Sequence, residues 1–325
     1  MPRFFASVAP AALAWLALAP AAHAQPTDWV AHYHRRVAAF AAENARLDPA
    51  ARHVVLIGDS LTEGWTRARI ARSLPTIAPR VLNRGITSDG TGARARGVSR
   101  RLDASLYDCQ ASHAFLLIGV NDVGRDGSGV EPAARTLREV VRAIRAREPA
   151  LVLTLITCPP ARGATYGPLN PAIVRFNVHV RAIAREEGAH LIDLHPLLVD
   201  ARGELPAHLT GDGIHWTDAA YAVLGREVER VVREHPAGTP APAPAPAPPV
   251  DPTDLVEVTA PVLRVRTGVW GTIVGYVTRG TRLPVLERRD GWLRVRWRGG
   301  EGWVSGAYAR PVARSGGITG SLPGG

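Results

Sequence analysis

The chain has 325 residues, 46% of them hydrophobic and 21% charged, which leaves room for one large domain and a small module. Its 39 basic side chains are all arginine and give a net charge of +10, favouring anionic surfaces such as wall polymers or acidic lipids. Beyond the first two dozen residues no run is long and apolar enough to span a membrane, so no integral membrane segment is expected after that point.

The N-terminus reads as a signal peptide over residues 1–24. Arg3 gives a positive start, an apolar run extends from Phe4 to Ala22, and Ala22-His23-Ala24 forms a small-residue exit before Gln25. An uncleaved anchor is the rival reading, and Pro10, Pro20 and the weakly apolar alanines count against it. Export to the periplasm or beyond the cell follows as the expectation, and makes nucleic acid an implausible partner. No Cys follows the cleavage site, so no lipid anchor is expected there.

Residues 25–235 alternate strand and helix signals. Apolar runs at His53–Ile57, Arg80–Leu82, His113–Gly119, Leu151–Thr157 and Ala189–Leu194 predict strands. Helical patterns fill the intervals at Gly92–Leu106, Glu131–Arg147, Asn170–Glu187 and Thr217–Arg233. Such alternation predicts an α/β domain, a parallel sheet in a three-layer α/β/α sandwich, with its site beyond the carboxyl ends of the strands. Cys109 precedes one predicted strand and Cys158 ends the next, roughly 20 Å apart at about 3.3 Å per residue. A disulfide spans no more than about 7 Å between Cα atoms, so both thiols are expected free.

Residues 236–254 form a Pro/Ala tract, an extended linker. In residues 255–312, Leu263-Arg264-Val265-Arg266 and Leu293-Arg294-Val295-Arg296 alternate apolar and basic with period two, predicting a small all-β barrel with a basic outer face. Residues 313–325 read as a disordered tail.

Within the first domain, HVVLIGDSLTEGW (53–65) runs a strand straight into Ser60 at a strand-to-helix turn. There a serine either exposes its hydroxyl as a nucleophile or caps the next helix. Among 11 histidines, His215 stands out because it lies in a Gly-rich loop with Asp212 three residues earlier, so one turn aims the carboxylate at the imidazole. His32, His34, His179 and His190 sit on helical or strand patterns and read as surface or packing residues. Gly85 and Asn121 follow the next two strands and are candidate oxyanion donors with the Ser60 N–H, whereas Asn83 reads as structural. No HExxH pattern or zinc-spaced Cys/His cluster occurs, so neither metal nor organic cofactor is expected.

GDSLTEGW (58–65), NRGITSDGT (83–91), GVND (119–122) and DGIHWT (212–217) occur in the order of the blocks of the SGNH (GDSL-like) serine hydrolases, which the chain resembles over residues 53–233. The resemblance implies a flavodoxin-like fold, Ser60 as nucleophile, His215 as base with Asp212 orienting it, and oxyanion donors from Ser60, Gly85 and Asn121. One departure is Ser88, where relatives of the platelet-activating-factor acetylhydrolase type tend to have Gly. VLRVR (262–266), GYVTRGTRLPVLE (275–287) and GWLRVRWRGGEGWV (291–304) resemble the bacterial SH3-type domain.

The expected function is hydrolysis of an ester through an acyl-serine, with O-acetyl groups on cell-envelope carbohydrate as the favoured substrate. The SH3-like module is expected to hold the enzyme on cell-wall polymer. A lysophospholipase or general short-chain esterase is the alternative enzyme, and a catalytically inactive wall-binding protein the alternative of another class.

Overall fold

The computed structural model describes residues 28–93, 96–124, 128–238, 242–243, 254–269, 272–289 and 291–312. The expected signal peptide, most of the linker and the tail lie outside the described residues.

In chain order the first domain comprises α1 (Trp29–Asn44), β1 (His53–Gly58), α2 (Ser60–Glu63), α3 (Arg67–Ser73), β2 (Val81–Gly85), α4 (Leu102–Ser105) and β3 (Ala111–Leu117). It continues with α5 (Val120–Val123), α6 (Val130–Arg147), β4 (Val152–Ile156), α7 (Gly163–Tyr166), α8 (Asn170–Glu186), β5 (His190–Ile192) and α9 (Asp218–Glu234). The five strands form one parallel sheet in the order β2-β1-β3-β4-β5. β1 is buried along its whole length, because helices cover both faces of the sheet. Val55 and Ile57 pack into the layer holding Val141 of α6 and Phe176 of α8. Val54 and Leu56 point the other way, into the layer of Ile70 from α3 and Leu224 and Val228 from α9. Each such buried side chain contributes roughly 1.5–3 kcal/mol. Because β2 and β3 lie on opposite sides of β1, the chain reverses direction beside β1 and opens a crevice at the strand ends.

Two elements differ from the sequence expectation. Among the described residues, the helix expected over Gly92–Leu106 is reduced to a 3-10 turn at Val98–Arg100 and the single turn of α4. Tertiary polar bonds displace the local pattern: Thr91 bonds Asp122 through its N–H (2.9 Å) and hydroxyl (2.8 Å). Arg101, 2% exposed, donates to the Gly58 carbonyl (3.0 Å), the Arg84 carbonyl (2.8 Å), Asp89 (2.8 Å) and Ser105 (2.7 Å). The second strand runs on through polar Asn83 and Arg84, which find partners of their own. The Asn83 amide donates to the carbonyls of Thr62 and Trp65, and Arg84 to Glu43 and Asn44. Cys109, just before β3, and Cys158, just past β4, are both buried and free.

The second domain is antiparallel, with β6 (Leu255–Val258), β7 (Val262–Arg266), β8 (Ile273–Thr278), β9 (Arg282–Arg289), β10 (Trp292–Trp297), β11 (Gly300–Ser305) and β12 (Ala309–Pro311). The sheet order is β12-β6-β9-β10-β11-β7-β8, around a core that includes Leu263, Val265, Val277, Leu293, Val295 and Val304. The basic face expected of Arg264, Arg266, Arg294 and Arg296 forms in part: Arg264 and Arg296 are exposed without an ion pair among the described residues. Arg294 pairs with Glu287 (3.1 Å) and Glu301 (3.2 Å), and Arg266 lies over the Trp292 ring.

Beneath the strand ends lies a buried acidic group. Asp59 caps α2, accepting the Leu61 N–H at 3.0 Å, and is 1% exposed. Burial pushes its carboxyl from the ordinary 3.8 up to about 7, with Asp89 and Asp122 adding to the rise and the Leu61 N–H and Arg101 opposing it. A carboxyl that binds its proton more tightly when folded contributes stability at low pH, and that contribution is lost as pH climbs to about 7. Asp59→Asn keeps the cap acceptor and removes the titration. The variant should therefore gain on the wild type between about pH 4 and about pH 7, by at most about 4 kcal/mol. Urea unfolding of both proteins at about pH 5 and about pH 8 measures this, and a stability difference that does not change with pH contradicts it.

Candidate active site

The strand-to-helix turn after β1 makes Ser60 the first residue of α2, where a helix leaves its N–H groups without intrahelical partners. The loop before α9 delivers the other two groups. His215 Nε2 lies 3.0 Å from Ser60 Oγ, and His215 Nδ1 lies 2.6 Å from Asp212 Oδ2. Asp212 is itself fixed, its Oδ1 accepting the N–H groups of Ile214 (3.0 Å) and His215 (2.8 Å). Burial raises the Asp212 carboxyl, but the bonds from the His215 ring and from these two N–H groups outweigh it, so the net pKa lies below the ordinary value. An ionised Asp212 only accepts, so the ring proton belongs on Nδ1 and Nε2 is left to accept the Ser60 hydroxyl.

These three residues border a cavity of about 390 Å³ whose other walls include Trp29, Thr87, Ser88, Asn121, Tyr166, Leu169 and Ile214. Asn121 stands at its edge as expected, held by one amide hydrogen given to the Asp89 carbonyl at 2.8 Å. The second hydrogen of that amide is a further donor.

Gly85 is not brought to the cavity. Its N–H is committed to Asn83 Oδ1 at 2.8 Å, and its carbonyl accepts from Arg36 at 3.1 Å. A Cβ at this position would lie 2.0 Å from the Glu63 amide nitrogen, so glycine serves the close packing of β2 on α2. The part of this loop that reaches the cavity is Thr87 and Ser88, the latter in the left-handed region at φ +62°. Asn83 plays the structural role expected of it.

Sequence reasoning missed Glu63, the hub of this wall. Glu63 Oε2 accepts both the N–H and the hydroxyl of Thr87 (2.6 Å each) and faces His32 Nε2 at 3.1 Å, while Oε1 lies 3.2 Å from Arg36. Burial raises its pKa, and the Thr87, His32 and Arg36 contacts pull it below the ordinary value. Glu63 thereby ties α1 to the loop bordering Ser60. Its only sequence signal is its place within LTEGW. Trp29 and Tyr166 were also missed, since each belongs to a segment outside the four motif blocks.

Comparison with known proteins places this geometry in a family. The model of the GDSL-like lipase/acylhydrolase family matches residues 56–223, and that of the bacterial SH3 domain matches residues 263–309. No curated protein matches the chain. Among solved structures, a candidate platelet activating factor from Streptococcus pneumonia is 24% identical, covering 63% of this chain and 93% of its own, with a TM-score of 0.53. A GDSL-like lipase from Bacteroides thetaiotaomicron is 18% identical, covering 61% and 97%, with a TM-score of 0.52. These likenesses carry the fold, and the match of the family model over 56–223 carries the membership. The chain belongs to the GDSL-like lipase/acylhydrolase family and is a carboxylic ester hydrolase followed by a bacterial SH3 domain.

Proposed function

We propose that the protein is an exported serine esterase that removes O-acetyl groups from cell-envelope carbohydrate. The observation that carries the chemistry is the His215 ring bridging Ser60 Oγ at 3.0 Å and Asp212 Oδ2 at 2.6 Å. In this reading Ser60 Oγ attacks the ester carbonyl as Nε2 takes its proton, and Asp212 stabilises the imidazolium. The tetrahedral intermediate collapses as His215 returns the proton to the departing alcohol, leaving acyl-Ser60. Water, deprotonated by His215, then attacks the acyl carbonyl and releases the carboxylic acid and free Ser60.

The oxyanion is met by the Ser60 N–H and the Asn121 amide, with the backbone at Ser88 taking the part expected of Gly85. That reassignment follows from the bond from the Gly85 N–H to Asn83. A wrong donor here is costly, because one oxyanion bond is worth roughly 3–4 kcal/mol in the transition state.

Three features support the substrate and the compartment. The signal-like segment 1–24 favours export, and the domain limits follow as 25–235 for the hydrolase and 255–312 for the module, joined by 236–254. Bacterial SH3 character favours attachment to cell-wall polymer. Trp29 and Tyr166 give the cavity aromatic walls beside polar Thr87 and Asn121, a lining suited to a sugar, whose ring has an apolar face and a hydroxyl edge.

Ser60→Ala should lower turnover of a small acetyl ester by about 10⁴- to 10⁶-fold with the fold intact, and abolish labelling by a fluorophosphonate. Near-wild-type turnover would end the assignment. Asn121→Ala should reduce kcat by about 10²- to 10³-fold; a change confined to KM would remove it from the oxyanion site. For the substrate, acetate release is measured from acetylated peptidoglycan, acetylxylan and lysophospholipid acyl release alongside. Preference for the lysophospholipid would replace the carbohydrate reading.

A further inference from the structure

The SH3-like module rests directly on the hydrolase domain. The turn between β9 and β10 reaches α8, where a Cβ on Gly291 (φ +73°) would lie 2.6 Å from His179 Nδ1. The Arg175 guanidinium of the same helix lies 4.8 Å from the centre of the Tyr308 ring. Glu131, in the first turn of α6, faces the module, with His179 Nε2 at 3.9 Å, and borders the same cleft as Ser305.

Docking creates a second cavity of about 380 Å³ that shares no lining residue with the Ser60 pocket. Its walls include Arg264, Arg266, Tyr276, Trp292 and Tyr308 from the module and Glu131 from α6. Arg264 and Tyr276 are directly paired across β7 and β8, so their side chains leave the sheet on the same face. Tyr276 is 56% exposed, and Arg264 is exposed and has no ion pair among the described residues. Arg288 pairs with Asp254, Arg310 with Glu257 and Arg294 with Glu287 and Glu301. Arg279, Arg296 and Arg298 share the lack of an ion pair among the described residues, but Arg264 is the one of these four that borders the cleft. An uncompensated guanidinium beside an open phenol ring selects a carboxylate carried on a compact ring. The guanidinium forks onto the two oxygens, and the ring's C–H face lies on the tyrosine.

We propose that this interdomain cleft is a second, non-catalytic glycan site that takes a carboxylate-bearing sugar of the uronic-acid type. It deepens the carbohydrate reading above and rests on it for the identity of the polymer. The site would hold one residue of the chain while another residue presents its ester to Ser60. Since the cleft is built from both domains, the module is a part of the substrate-binding unit as well as an anchor.

The test uses the full chain carrying Ser60→Ala, so that binding is read without turnover. Calorimetric titration with an oligogalacturonate is expected to show saturable binding, and the neutral xylo-oligosaccharide of equal length to bind at least tenfold more weakly. Adding Arg264→Gln or Tyr276→Ala, both on the exposed face of the hairpin, should weaken oligogalacturonate binding at least tenfold. The same substitutions in the Ser60 protein should leave turnover of a small soluble ester unchanged. Equal binding of the neutral oligosaccharide, binding untouched by both substitutions, or saturable binding of glycerol phosphate in place of the acidic sugar would each overturn the proposal. Loss of esterase activity in the wild-type protein would instead defeat the catalytic reading, and this titration does not depend on it.

Discussion

The arrangement of the strand ends depends on one buried guanidinium. Arg101 gives its N–H groups to the last carbonyl of β1 at Gly58, to the Arg84 carbonyl of β2, to Asp89 in the following loop and to Ser105. Two parallel strands and the loop that borders Ser60 are thus fixed to one planar group. A buried cation costs several kcal/mol to desolvate, and here it is matched by Asp89 and by fixed carbonyl dipoles. The result is a turn at Asp59-Ser60 whose position is set by groups outside the loop that carries Asp212 and His215.

That catalytic loop comes from a distant part of the chain. Asp212 and His215 stand on a Gly-rich segment leading into α9, itself packed on the α3 side of the sheet. A bridge of Thr210 to Trp216 and the hydroxyl bond from Thr210 to the His215 carbonyl (2.8 Å) close the loop on itself. The imidazole therefore meets Ser60 Oγ as a prepositioned group, which is where proximity contributes to rate. The Asp212–His215 pair is also open to solvent, with the side chains of His215 and Asp212 about half exposed (47% and 48%), which in the proposed mechanism leaves room for a bulky alcohol and for the water of the second step.

Much of this was legible in the sequence because the signals were local. The strand-to-helix turn at Ser60 follows from an apolar run ending in GDS, and the Asp212–His215 bond from a three-residue spacing in a turn. Period-two alternation in the module correctly put Leu263 and Val265 inside. What failed was decided by distant partners. Gly85 looked like an oxyanion donor because it ends a strand, yet its N–H is taken by Asn83 and its missing Cβ by α2. Residues Gly92–Leu106 carry a helical pattern, but Arg101 and Thr91 are drawn to groups on β1, β2 and α5. The basic face of the module is interrupted for the same reason, as acidic residues on neighbouring strands claim Arg294. Glu63 and Trp29 were invisible as site residues because their roles exist only once α1 lies against the loop after β2.

The central claim is that Asp212 holds the His215 ring in the tautomer that accepts the Ser60 proton. The most direct measurement is turnover of a small acetyl ester by Asp212→Asn across the pH range, with the fold checked by its unfolding transition. An amide that leaves the geometry in place but stabilises the other tautomer should lower kcat by about 10⁴-fold. Turnover within tenfold of the wild type would contradict the account and require a different partner for His215.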